Sequence, residues 1–306
     1  MQRKGVNDVQ DSGETGVSDP YRPPAVEIEP ARQILPDGDR TWVMGILNLT
    51  PDSFSDGGRF QRPDQALKQA ARMLRDGADV LDLGAQSTRP GAVEIGPAAE
   101  LERLLPVLTA IRAAHPRALL SVDTFHAEVA AAALASGADW INDVSGGRRD
   151  PAILQVVARS GCPYVLMHSR GDSRSMDQLT DYGDVVADVC AELLRSTRQA
   201  EAQGVARGQV IWDPGLGFAK THAQNLALLR GLARLRQEGF PLLVGPSRKR
   251  FIGEVLAEPR PRARLWGTAA VCAEAIRGGA DVLRVHDVGP LVQTARMMDA
   301  IVRLPA

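Results

Sequence analysis

Eight short apolar runs in this chain end on polar or charged residues, and those ends gather the side chains that could do chemistry. They are Asn48, Asp82, Asp123, Asn142 with Asp143, His168, Asp213, then Ser247-Arg248-Lys249, and Arg284 with His286. Such groups are costly to bury unless paired; one or two could cap structure, but a whole series implies a shared site. Asp123, Asn142 and Asp213 supply acceptors and an amide suited to the N–H edge of a flat heterocycle. A ligand lacking matching donors would leave them unpaired, so such a pocket is selective. Arg89, Lys249, Arg284 and His286 are read as cations suited to an anion such as a diphosphate. The expected ligand therefore has a hydrogen-bonding ring at one end and phosphate at the other.

The remaining histidines carry less. His168, in MHSRG, could stand in the site or behind it, whereas His115, His126 and His222 fall in or at the start of helices and are expected to face solvent or cap. No two histidines have helical i, i+4 spacing, so a histidine metal site is not expected. No Cys/His or Ser/His/Asp arrangement at these ends argues for a covalent enzyme intermediate.

The elements that must carry these ends are strands at 43–49, 79–84, 118–123, 139–144, 163–168, 210–213, 241–245 and 281–286. Between them apolar residues recur at three- and four-residue spacing, as in Leu101–Leu104–Leu105–Leu108–Ile111 and Leu226–Leu229–Leu232–Leu235, which predicts helices. A Gly-Ala-Asp echo at Gly77–Asp79, Gly137–Asp139 and Gly279–Asp281 precedes three of the strands, and a glycine there reads as a left-handed helix cap. Near-continuous apolar strands alternating with helices describe a parallel sheet covered on its outside. Eight such units close into a (β/α)8 TIM barrel with its site at the C-terminal ends of the strands. The rival, a doubly wound open sheet, usually has G-x-G-x-x-G after strand one, and none is present. One barrel domain, 39–306, is expected behind a polar, flexible extension, 1–38, with Pro20, Pro23, Pro24, Pro30 and Pro36. The loops at 48–60 and 84–92, rich in Gly, Ser, Thr and Pro, read as lids that order on binding.

Composition excludes other classes. Lys+Arg total 36 against Asp+Glu 37, so the formal net charge is −1, which argues against a nucleic-acid partner. Aromatic residues are 4%, too few for a stacking platform, and 44% hydrophobic residues exclude global disorder. No apolar run reaches a membrane-spanning length, and the N-terminus has no apolar stretch of the secretory kind. Cys162, Cys190 and Cys272 are widely spaced and odd in number, which predicts buried thiols and a cytoplasmic protein.

The blocks NLTPDSFSDGG, LDLGAQSTRPGA, SVDT, INDVSGG, DPGLGFAKT, GPSRKRFIG and RVHDV, in this order over about residues 41–290, resemble the motif series of the dihydropteroate synthase family. The resemblance implies a folate-biosynthesis transferase that condenses 6-hydroxymethyl-7,8-dihydropterin diphosphate with 4-aminobenzoate, giving 7,8-dihydropteroate and pyrophosphate, with Mg2+ on the diphosphate. It places Asp123, Asn142, Asp213 and Lys249 in the pterin pocket and Arg284 stacked on the pterin facing the phosphates. Asn48 matches the metal-binding position, His286 and Arg89 the anion-binding positions, and Thr88, Pro90, Phe218 and Ser247 the surroundings of the aminobenzoate. It also implies loss of pyrophosphate before attack by the arylamine, and a homodimer.

Four positions depart from the family pattern: Ala85-Gln86 where Gly-Glu is common, Ala219 where Gly is common and Ser169 where Met is common. They leave open a non-catalytic or altered paralogue that binds pterin without condensing it. A pterin-binding methyltransferase domain shares the barrel but has little use for the SRK block or the STRPG loop.

Overall fold

A computed structural model describes residues 35–50, 62–86 and 94–303. Residues 1–34 of the expected extension, most of the two expected lids, and Thr88, Arg89 and Pro90 lie outside the described residues. Eight strands follow in order: β1 Trp42–Asn48, β2 Val80–Gly84, β3 Leu119–Asp123, β4 Trp140–Asp143, β5 Tyr164–Met167, β6 Val210–Asp213, β7 Leu243–Val244 and β8 Val282–Val285. The helices are α1 Arg62–Arg75, α2 Pro97–Ala114, α3 Ala127–Ala135, α4 Ala152–Ser160, α5 Val185–Ala202, α6 His222–Arg230, α7 Leu232–Arg236, α8 Arg250–Leu256, α9 Leu265–Arg277 and α10 Val288–Val302.

Neighbouring strands are parallel in the sheet order β6-β5-β4-β3-β2-β1-β8-β7. A parallel bridge between Trp212 and Leu242 joins the two ends, supported by the Trp212 amide donating to the Pro241 carbonyl at 2.9 Å. Sequential order with closure is the single-domain barrel and excludes the doubly wound sheet. Each expected strand is present, but the run 241–245 contracts to two residues; the Leu242 amide is taken by the Asp281 carboxylate at 2.8 Å rather than by a strand carbonyl.

The two-residue period of a strand decides what faces inward. Trp42, Met44, Val80, Leu119, Trp140, Val165, Ile211, Leu243 and Val282 form an apolar plug inside the barrel. Two residues further along, the inward side chains turn polar: Val80 gives way to Asp82, Leu119 to Ser121 and then Asp123, Trp140 to Asn142, Ile211 to Asp213 and Val282 to Arg284. The registers Asp82↔Ser121 and Asp123↔Asn142 place them side by side. Outward residues such as Leu81, Leu83, Val122, Trp212 and Val285 pack under the helices. The barrel is therefore an apolar base carrying a polar layer.

The Gly-Ala-Asp echo builds one corner three times. Gly77, Gly137 and Gly279 have φ of +99°, +96° and +92°, and the next amide in each case, Ala78, Ala138 or Ala280, donates at 2.9 Å to the helix just ended. Each aspartate then accepts a backbone N–H of a neighbouring chain segment: Asp79 from Val43 at 2.8 Å, Asp139 from Leu120 at 2.9 Å, Asp281 from Leu242 at 2.8 Å. Arginines complete the corners, Arg40 on Asp79 and Arg112 on Asp139, both at 2.6 Å, and Arg236 near Asp281 at 3.5 Å. Asp139→Ala is expected to lose roughly 2–3 kcal/mol of stability, the scale of a charge-assisted hydrogen bond left unmade. Urea unfolding reads this directly, and an unchanged midpoint would show that the carboxylate does not hold the corner.

No helix among the described residues is long and apolar enough to cross a membrane. The three cysteines are buried free thiols, as expected.

Candidate active site

Arg284 rises from β8 into the polar layer and binds two carboxylates at once. Its Nε donates to Asp82 Oδ2 at 2.6 Å and its Nη2 to Asp123 Oδ2 at 2.6 Å. Asp82 is fully buried and also accepts from Ser121 Oγ at 2.6 Å and Asn142 Nδ2 at 3.2 Å. That last bond orients the Asn142 amide, leaving its Oδ1 as an acceptor with no hydrogen bond among the described residues. Two carboxylates face one guanidinium in a water-poor place, so the group carries a surplus negative charge when Asp123 is ionised, and burial raises that carboxyl to about 7. Arg284 opposes the rise, and Asp82 and Asp143 add to it. Burial works against the Arg284 charge, but Asp82 and Asp123 hold its proton more firmly than usual.

A second group comes from the loops after β6 and β7. Lys249, ahead of α8, lies with its ammonium 4.1 Å from the centroid of the Phe218 ring. Burial pulls this lysine down to about 8, with Asp213 as the main opposing charge. Asp213 ends β6, accepts the Gly215 amide at 2.7 Å, and is itself pushed up by burial. Gly217 allows the close approach: φ is +78°, and a Cβ there would meet the Lys249 side chain at 2.9 Å. Arg248 also has positive φ, +61°, a conformation costing about 1–2 kcal/mol for a side-chain-bearing residue. Its ion pair with Asp287 at 2.6 Å and its carbonyl bond from Arg264 at 3.0 Å hold it there. Phe218 also lines a narrow cleft shared with Gln86, Phe125, Ser145 and Arg149.

His286 corrects one expectation. Burial, followed by Arg248 and Arg284, lowers it to about 3, so it is neutral near pH 7 and is not one of the cations. Ser247 Oγ accepts the His286 amide at 3.2 Å and lies within hydrogen-bond distance of its Nδ1, at 3.0 Å, so one hydroxyl fixes both the backbone and the ring of this residue. Arg284, too, is no free cation: it spans the acidic group. His168 lies behind the site, lowered to about 4 by burial and then Lys220. A histidine whose folded value lies below its ordinary value near 6.5 binds its proton more readily when unfolded. Its contribution is complete above about 6.5 and is lost as pH falls toward 4, at up to about 1.4 kcal/mol per pH unit. His168→Gln is therefore expected to show a shallower fall in stability between these limits than the parent chain. Parallel slopes in urea titrations would contradict it.

A family model described as Pterin binding enzyme matches residues 44–286. A dihydropteroate synthase of Synechocystis sp. is 49% identical over 288 residues, covering 94% of this chain and 98% of that protein. The chain belongs to the dihydropteroate synthase family. Solved relatives share the fold. A Clostridium difficile dihydropteroate synthase, crystallised in the presence of pteroic acid, is 40% identical with a TM-score of 0.84, covering 89% of this chain and 100% of that one. A Xanthomonas albilineans dihydropteroate synthase with 4-aminobenzoic acid is 42% identical with a TM-score of 0.82, covering 88% and 95%.

Of the site residues expected from the sequence, the described structure gathers Asp82, Asp123, Asn142 and Arg284 in one cluster and Asp213, Phe218 and Lys249 in an adjoining one. Asn48 stands beside them at the end of β1, in register with Gly84, and Ser247 pairs with His286. Asp143 faces outward, accepting the Ser145 and Gly147 amides at 2.7 Å each and the Tyr164 hydroxyl at 2.7 Å; it braces a loop. His126 is neither solvent-facing nor a side-chain cap: it packs on the Phe125 ring and lies 3.9 Å from Glu100, while Asp150 caps α3 through the Ala127 amide at 2.7 Å. The departures from the dihydropteroate synthase pattern lie outside the Asp82–Arg284–Asp123 cluster. Ala219 has φ +48° where glycine would be unstrained. Ser169 accepts from Arg148 at 2.5 Å and donates to the Val144 carbonyl at 3.0 Å. Gln86 accepts the Ile95 amide at 3.3 Å, and Ala85 is buried. Sequence reasoning missed Ser121, two residues before Asp123 on the same face, and Lys220, two residues after Phe218.

Proposed function

We propose that this chain condenses 6-hydroxymethyl-7,8-dihydropterin diphosphate with 4-aminobenzoate, yielding 7,8-dihydropteroate and pyrophosphate. The observation that carries the reading is the buried Asp82–Arg284–Asp123–Asn142 cluster at the mouth of the barrel. Asp123 and Asn142 offer acceptors to the ring N–H edge, and the surplus negative charge there favours positive charge that develops in the pterin. The carbon–oxygen bond to the diphosphate breaks with its electron pair leaving on pyrophosphate; the arylamine nitrogen then bonds to the methylene carbon and loses a proton. Lys249, His286 and Arg89 receive the departing anion, and Thr88, Pro90, Phe218 and Ser247 surround the aminobenzoate.

Mg2+ belongs to the proposal through Asn48, whose amide oxygen is a donor hard cations accept. Among the described residues no three His, Cys, Asp or Glu side chains gather as a metal site. That donor set fits an ion carried largely by diphosphate oxygens and water rather than caged by protein. When bound, it would neutralise charge on the leaving diphosphate. The buried free thiols fit a reducing cytoplasm. A homodimer is also proposed: α8–α10 carry Val255, Leu256, Trp266, Met297 and Ile301, each 49–78% exposed, apolar side chains that a second copy would cover.

The test uses the full-length chain with both substrates. Dihydropteroate and pyrophosphate are expected in equal amounts, lost on EDTA treatment and restored by Mg2+. Calorimetric binding of the pterin diphosphate without pyrophosphate release would instead identify an altered, non-catalytic relative. Sedimentation velocity reads the dimer.

A further inference from the structure

Lys220 has no role in the chemistry so far described, yet it is only 8% exposed and fully engaged. Its Nζ lies 3.0 Å from each of three acceptors: His168 Nδ1, the Gly215 carbonyl and the Phe218 carbonyl. An ammonium carries three protons, and each has a target. The histidine tautomer follows. His168 Nε2 lies 2.9 Å from a Glu192 carboxylate oxygen, which can only accept, so Nε2 carries the hydrogen and Nδ1 is left to accept from Lys220. Arg170 holds the same carboxylate at 2.5 Å, and these two hydrogen bonds keep Glu192 at about 2 although burial works against it. A chain Arg170–Glu192–His168–Lys220 thus ends under the loop after β6.

That loop is the wall on which Lys249 rests. Gly215 has φ +67°, and a Cβ there would lie 1.9 Å from the His168 carbonyl, so the backbone packs directly against the residue that follows β5. Gly217 touches Lys249, and its amide donates to Asn225 Oδ1 at 2.6 Å. The Tyr182 hydroxyl donates to the Ala219 carbonyl at 3.0 Å, on the strained side of the turn. Lys220 supplies the remaining two carbonyl bonds, one on each side of Gly217.

We infer that Lys220 is a positioning residue: by binding the Gly215 and Phe218 carbonyls from below, it sets the Phe218 ring against the Lys249 ammonium and so shapes the arylamine side of the site. The inference rests on the proposed reading of Phe218 as a neighbour of the aminobenzoate, with Lys249 against its ring on the anion side. The charges facing Lys220 are Asp213 and Glu192, which favour its ammonium, and Arg170 and Lys249, which oppose it. Burial brings it down to about 7, so the clamp is strongest on the acid side of neutrality.

The full-length Lys220→Met variant tests this. The KM for 4-aminobenzoate is expected to rise about tenfold, while calorimetric affinity for the pterin diphosphate, held by the Asp123 and Asn142 group, changes less than threefold. With a cation removed from Nδ1, His168 should take up its proton at a higher pH, visible in 15N imidazole spectra. Unchanged KM with wild-type His168 titration would overturn the inference, and so would equal loss of both affinities, the mark of general loosening. An inactive parent chain would count against the proposed function instead, and the spectra would still decide the clamp. Should the variant not fold, the parent is followed by NMR from pH 6 to 9. His168 Nδ1 and the Gly217 and Phe218 amides must then move with one midpoint, and still amides would overturn the clamp.

Discussion

Asp123→Asn is expected to lower kcat by about 10²–10³-fold, the scale of removing one preorganised electrostatic partner from an enclosed site. Stability should change little. Asparagine keeps the shape and one acceptor, Arg284 keeps Asp82 at 2.6 Å, and the burial that pushes the Asp123 carboxyl up is relieved. Steady-state rates together with urea unfolding separate the two effects. Near-normal turnover would show that a hydrogen-bond acceptor suffices and that the negative charge is not used.

The second large effect belongs to Arg284→Met. Removing one partner from a buried charge group costs about 3–5 kcal/mol, because the charges left behind are neither hydrated nor paired. Here two carboxylates remain, so at least one must take up a proton. A carboxyl whose folded value is raised binds protons in the folded state, and stability then falls as pH rises. The variant should therefore be more destabilised at pH 8 than at pH 5. Adding Asp82→Asn should recover part of the stability without recovering turnover. A pH-independent loss would mean that water reaches the carboxylates and that the cluster is not enclosed.

The fold was legible because two periodicities speak clearly in this chain. Strand ends differ by only a residue or two from the apolar runs, even at 241–245, of which Leu243–Val244 is the strand. The clustering of Asp82, Asp123, Asn142 and Arg284 follows from being inward residues at the ends of parallel strands in register. What the sequence did not reveal is charge state and pairing. His286 looked like a cation because its residue type allows it, but enclosure beside Arg248 and Arg284 makes it neutral. Arg284 looked like a phosphate ligand, while its two carboxylate bonds make it the bridge of the acidic group. Lys220 escaped notice because its role lies in binding backbone carbonyls, which no residue pattern displays. The glycines of the Gly-Ala-Asp echo show their capping role in the sequence, whereas the aspartates' hold on neighbouring segments depends on contacts distant along the chain.

A crystal structure with 6-hydroxymethyl-7,8-dihydropterin diphosphate bound tests the polar layer as a ring-binding site most directly. Pterin nitrogens should lie about 3 Å from Asp123 carboxylate oxygen and Asn142 Oδ1, with the diphosphate toward Asn48 and His286. A ring bound away from β3 and β4, with the Arg284 bonds to Asp82 and Asp123 untouched, would contradict the account.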